Sequence, residues 1–163
     1  MEQEELLRYV APCSLMCYTC PAFQNGGIAK CASKLCKYFE GYYDFNDANM
    51  PEEYRGWLSE FQSFYDRLAR YTDRPCLGCR SDVKRGCIEG CVVPDCIRQK
   101  GIDFCAECPE FPCEKGKKFF AGINNVIGKD WEAGSRRIAE VGIERYFEEK
   151  KDESHYISYK KCR

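Results

Sequence analysis

Residues 87–114 read CIEGCVVPDCIRQKGIDFCAECPEFPCE, and cysteine stands at Cys87, Cys91, Cys96, Cys105, Cys108 and Cys113. Cys105 and Cys108 make a C-x2-C pair, a tight turn that aims two thiols at one point. A second pair, Cys76 and Cys79, lies just upstream in Pro75-Cys-Leu-Gly-Cys-Arg80. Two such pairs in close succession point to a metal, because soft thiolates at this spacing suit tetrahedral zinc or an iron–sulfur cluster. The fold expected around them is mainly α: a small α-rich domain with irregular zinc-knuckle turns in a cysteine-rich C-terminal half.

The flanking chain reads as helices. Pro51 opens the clearest one, with Glu52 and Glu53 at the positive end of the dipole. Tyr54, Trp57, Leu58, Phe61, Phe64, Tyr65, Leu68 and Tyr71 form its apolar stripe, which reads as core packing. Further helices are expected over Glu2 to Tyr9, Ile28 to Phe39, Pro94 to Lys100, Lys115 to Asn125 and Trp131 to Val141. Gly142 leads into a last one that ends in the charge run Glu148 to Glu153. Gly41 to Met50 reads as a loop. Two parts are expected in one compact unit: residues 1–74, a helical lobe, and 75–163, the metal-binding half with its C-terminal helices.

Composition narrows the class. Of 163 residues, 31% are charged and 44% hydrophobic, which is globular rather than disordered. The hydrophobic share includes 14 cysteines, however, so the core leans on 10 Phe, 11 Tyr and 2 Trp and gains from metal staples. The start Met1-Glu-Gln-Glu-Glu-Leu-Leu-Arg8 is acidic and does not read as a secretory signal. No apolar run is long enough to span a membrane. A cytoplasmic setting is expected, in which thiols stay reduced and act as metal ligands rather than disulfides.

Eight thiols, Cys76, Cys79, Cys87, Cys91, Cys96, Cys105, Cys108 and Cys113, suffice for two four-thiolate sites. One partition joins the two pairs (Cys76, Cys79, Cys105, Cys108) and leaves Cys87, Cys91, Cys96 and Cys113; this follows the habit of zinc ribbons. The other runs in order, Cys76 to Cys91 and then Cys96 to Cys113. A further trio, Cys13-x3-Cys17-x2-Cys20, is similar to the cluster motif of radical S-adenosylmethionine enzymes. Thr19 stands where those enzymes carry an aromatic residue, and the repeated βα units of their barrel are missing. The Cys-Pro steps after Cys20 and Cys108 suggest a ferredoxin-like carrier, whose run of cysteines is not intact here. C-x2-C-P-x-F occurs twice, at Cys17 to Phe23 and Cys105 to Phe111. Cys31 and Cys36 sit about 140° apart on a regular helix and cannot face one metal. With Cys162, they read as small buried hydrophobes.

Other chemistry is thin. His155, the single histidine, reads as a surface residue, and no phosphate-cradling loop is present. The formal charge is −1, and each four-thiolate zinc site adds about −2. Lys115, Lys117, Lys118, Arg136 and Arg137 form a basic stretch that reads as a solvated helix face. A duplex-binding protein is normally more basic, so no nucleic-acid partner is expected. The reading is a zinc-binding module of the adaptor kind, with a protein as the kind of partner that fits and an iron–sulfur protein as the rival.

The motifs resemble the cysteine-rich prokaryotic family filed as domain of unknown function 3795 and described as zinc-binding. The resemblance rests on Cys13-x3-Cys17-x2-Cys20-Pro-Ala-Phe, Cys76-x2-Cys79-Arg-Ser, and Cys91-x4-Cys96-x4-Gly101-Ile-x2-Cys105-x2-Cys108-x2-Phe111-Pro-Cys113-Glu. The phrase Ile138-Ala-Glu-Val-Gly-Ile-Glu-Arg-Tyr-Phe-Glu-Glu resembles a recurrent tail helix. Members often end in a further knuckle, where this chain has Cys162 alone. The resemblance implies zinc binding and no activity.

Overall fold

The structure, a computed structural model, describes residues 2–42, 51–81, 88–123 and 125–157. Cys87, Cys162 and most of the expected loop Gly41 to Met50 lie outside them. Among the described residues six helices are found: α1 (Gln3–Tyr9), α2 (Gly27–Tyr38), α3 (Glu52–Ala69), α4 (Val93–Lys100), α5 (Glu114–Ile123) and α6 (Asn125–Lys150). A 3₁₀ turn spans Cys105–Glu107. Among the described residues there is no strand, only two bridges, Val10 with Met16 and Phe23 with Cys76. The chain is mainly α.

Local chemistry accounts for the helix ends. Pro51 precedes α3, whose first turn carries Glu52 and Glu53. Pro94 lies in the first turn of α4, and Gly101, at φ 64°, closes it with its N–H donating to Ile97 O. A side chain there would meet the left-handed penalty, so glycine is the apt stop. Helix α6 breaks at Gly142, at φ 78° and ψ 166°, as the expected change of helix at that residue implies.

Two buried clusters hold these elements. The first gathers Leu6, Tyr9, Val10 and Phe23 with Phe104, Ile138, Tyr146 and Phe147. Tyr9 stacks on Phe147 with ring centres 5.7 Å apart. The second gathers Ala11 and Cys13 with Val93, Ile97, Phe120 and Trp131, the last two rings stacked at 5.0 Å. Each cluster joins residues from both sides of position 75. Burying one such side chain stabilises by about 1.5–3 kcal/mol, so packing binds the chain's two ends to one another.

The stripe of α3 departs from its expected role. Phe61 is buried, but Tyr54, Trp57 and Phe64 are exposed, Trp57 by 53%. The helix packs chiefly on α2, and Phe39 and Tyr42 meet Phe61 there at 5.0 and 4.9 Å. A two-helix hairpin covers one flank of so wide a stripe and leaves the other in water. On α2 the buried residues are Ala29 and Ala32, whereas Ile28, Leu35 and Tyr38 are exposed. Cys31 is exposed and Cys36 half-buried, so neither is the small core residue expected.

Candidate metal centre

The repeated motif folds the same way twice. In the first copy Cys20 N–H donates to Cys17 O at 2.9 Å and Phe23 N–H to Cys20 O at 3.2 Å. In the second, Cys108 N–H donates to Cys105 O at 3.1 Å and Phe111 N–H to Cys108 O at 2.9 Å. Each copy is thus a pair of linked turns. Cys105 N–H also donates to Pro12 O at 2.9 Å, which brings the second copy against the loop that begins with Cys13.

That loop centres a first set of thiols. Cys13 is 4% exposed, and burial pushes its thiol well up, with Cys79, Cys17 and Cys91 beside it raising it further. Cys17, Cys79 and Cys91 pack against the cluster that contains Cys13. Ser14, next in the loop, takes φ 66°, a conformation L-residues rarely adopt. It is held by Tyr146, whose hydroxyl donates to Ser14 O at 2.8 Å, and by its own N–H to Ala11 O at 2.8 Å. Burial pushes the Tyr146 phenol up to about 12, so it stays a donor.

Arg80 borders this set. Its guanidinium donates to the carbonyls of Leu7, Val10 and Asp103 and lies over the Phe104 ring at 4.8 Å. Its Nε is buried without a hydrogen-bond partner. Burial lowers the Arg80 pKa; negative charge on Asp103, Cys17, Cys79 and Cys13 opposes that shift. Carbonyl oxygens supply hydrogen bonds but no countercharge. Of the groups that oppose the shift, Cys17, Cys79 and Cys13 are thiols of the first set.

A second set comprises Cys96, Cys105, Cys108 and Cys113. They line one cavity of about 570 Å³, walled by Ile97, Ile102, Phe111 and Trp131. Burial pushes the Cys105 thiol up to about 11, with Cys113, Cys96 and Cys108 adding to the rise. Donors face the sulfurs. Lys100 Nζ lies 3.2 Å from Cys108 Sγ, and Gly116 N lies 3.4 Å from Cys113 Sγ. The Trp131 N–H, buried and short of a full hydrogen bond, opposes the rise at Cys105. Gly116 is required here, since a Cβ would come within 2.5 Å of the Trp131 ring.

Cys20 and Cys76 form a separate pair. Burial raises Cys20, Cys76 adds to the rise and Arg74 lowers it. The backbones of residues 22–24 and Cys76 are joined by Cys76 N–H to Ala22 O at 3.2 Å and Gln24 N–H to Cys76 O at 3.0 Å. The two cysteines of the Cys76 to Cys79 turn therefore look to different neighbours, Cys79 to Cys13 and Cys76 to Cys20. Among the described residues, no three His, Cys, Asp or Glu side chains form a group that could hold a metal ion as they stand. Within each set the sulfurs are neighbours that do not converge.

His155 is half-buried, with Nδ1 2.7 Å from Met16 O. A carbonyl only accepts, so Nδ1 carries the proton. Of the basic stretch, Lys117 pairs with Glu114, Arg136 with Glu132 and Arg137 with Glu149, so these three charges are compensated. Arg80, Lys100, Gly116 and Trp131 were not legible as site residues. The one signal was Arg80 directly after the C-x2-C pair.

The chain belongs to the family described as "Protein of unknown function (DUF3795)", whose model matches residues 9–118. That span contains both thiol sets. No curated protein and no solved structure matches the chain. Among the described residues no helix is long and apolar enough to cross a membrane.

Proposed function

We propose that the protein is a zinc-binding module in which Cys13, Cys17, Cys79 and Cys91 hold one ion and Cys96, Cys105, Cys108 and Cys113 another. The observation that carries this reading is Arg80. Its hydrogen bonds go to uncharged carbonyls, and thiolates on a metal at Cys13, Cys17 and Cys79 would add negative charge beside it. The second set adds its own support, because N–H donors aimed at sulfur stabilise thiolate and not thiol. Cys20 and Cys76, each in a turn with a ligand, remain outside both sites.

A closed four-thiolate site leaves no place for a reacting water, so the zinc is structural and the module serves binding rather than catalysis. The aromatic flank of α3 suits an adaptor whose partner is a protein. A second reading, an iron–sulfur cluster in the second set, draws on the breadth of its cavity, about 570 Å³. Purification without oxygen, followed by elemental analysis, separates the two. The expected result is two zinc ions per chain. Stoichiometric iron with acid-labile sulfide would replace zinc by a cluster, and a metal-free folded chain would overturn both.

A further inference from the structure

The uncovered flank of α3 carries a charge pattern as well as apolar surface. Glu53, Trp57, Glu60, Phe64 and Arg67 follow one another at steps of four, three, four and three residues, so they form one line along the helix. Every residue of that line is exposed. Trp57 and Phe64 meet the rings of Tyr42 and Phe39 at 5.9 and 6.2 Å, yet keep 53% and 49% of their surface in water. The line is acidic at its start, through Glu53 and Glu60, and basic at its end, through Arg67. Among the described residues none of these three makes an ion pair.

We propose that this flank is where two copies of the chain meet, α3 against α3 and antiparallel about a twofold axis. The charge pattern favours that sense. When Trp57 lies against Phe64 of the second copy, Glu53 falls within one residue of Arg67 of the second copy, and the axis repeats both contacts. A parallel pair would set Glu53 on Glu53 and Arg67 on Arg67 instead. Antiparallel packing also opposes the two helix dipoles. Near the axis the two Glu60 carboxylates approach one another, so one repulsion is built into the middle of the face. A helix of 18 residues is about 27 Å long. The interface is therefore small and the association weak, with a Kd between about 1 µM and about 1 mM. This names the protein partner that the zinc reading leaves open, and it depends on no metal.

Sedimentation equilibrium of the full chain, from about 1 µM to about 1 mM, tests this. The expected result is a reversible equilibrium between the monomer and a dimer of twice 18.9 kDa. Glu53→Arg and Arg67→Glu should each weaken it by about tenfold, since the axis counts each reversal twice, and the two together should restore it. Glu60→Gln should tighten it by about threefold, through loss of the central repulsion. A chain that stays monomeric over the whole range would overturn the proposal and leave the flank to another protein or to a segment of this chain. A dimer that ignores both reversals, or that the double variant fails to restore, would place the contact on another surface and overturn it equally. Metal content, measured on the same samples, tests the zinc reading separately.

Discussion

Arg80 carries a charge whose compensation depends on the state of its neighbours. With thiolates beside it the guanidinium is matched; with thiols it is a cation partly withdrawn from water. Removal of the charge therefore has unequal effects in the two states. Arg80→Met should cost about 1–3 kcal/mol in the zinc-loaded protein, through three carbonyls left without a donor and thiolates left without a countercharge. After chelation the cost should shrink, because the variant no longer holds an unmatched cation. Arg80→Lys should not restore the loaded protein, since one ammonium cannot reproduce a planar fork spread over three carbonyls. Thermal melting with and without chelator measures this, and equal losses in both states would refute it. At this scale the thiols were legible as candidates, because their C-x2-C spacing sets them apart from isolated cysteines. Lys100 and Trp131 were not, and Arg80 only by its place after Cys79: a group that comes to lie beside the thiols is defined by where the chain brings it.

Among the elements, α6 owes its position to a residue without a side chain. A Cβ on Gly134 would stand 2.5 Å from Ser14 Oγ and 2.8 Å from Tyr146 Oη. Helix and thiol loop touch at that point. Gly134→Ala should destabilise the protein by about 1–3 kcal/mol through overpacking. Gly56→Ala makes the control, since Gly56 lies inside α3 with open space where its Cβ would go; it should stabilise by up to about 1 kcal/mol. Chemical denaturation of the two variants tests both signs, and a neutral Gly134→Ala would mean the loop yields at no cost. Helix existence was well signalled: Pro94 with Gly101, Pro51 with two glutamates, and Gly142 each marked a boundary the fold uses. Burial was less so. The stripe of α3 says that one face is apolar, but how much of it is covered depends on what packs there, and a single partner helix leaves Trp57 and Phe64 in water.

For the molecule as a whole, the uneven distribution of contacts predicts uneven stability. Helices α1 and α6 share the first buried cluster, whereas α3 rests mainly on α2. Hydrogen exchange should show α3 amides opening well before those of α6 around Ile138 and Tyr146; equal protection would refute this. The two-part division of the sequence is bridged by both clusters and by the Cys105 to Pro12 hydrogen bond. The loop from Cys13 to Cys17 has a consequence for the order in which the protein is built. On the ribosome these two cysteines emerge early and wait while the whole α2–α3 hairpin is made before Cys79 and Cys91 arrive. The stretch from Cys96 to Cys113 is complete within a few turns of chain, and closing a short loop is both quicker and entropically cheaper. The nascent chain thus finishes its local thiol set soon after that set emerges, while its first-made cysteines spend the longest time unguarded and are the ones most open to oxidation during synthesis.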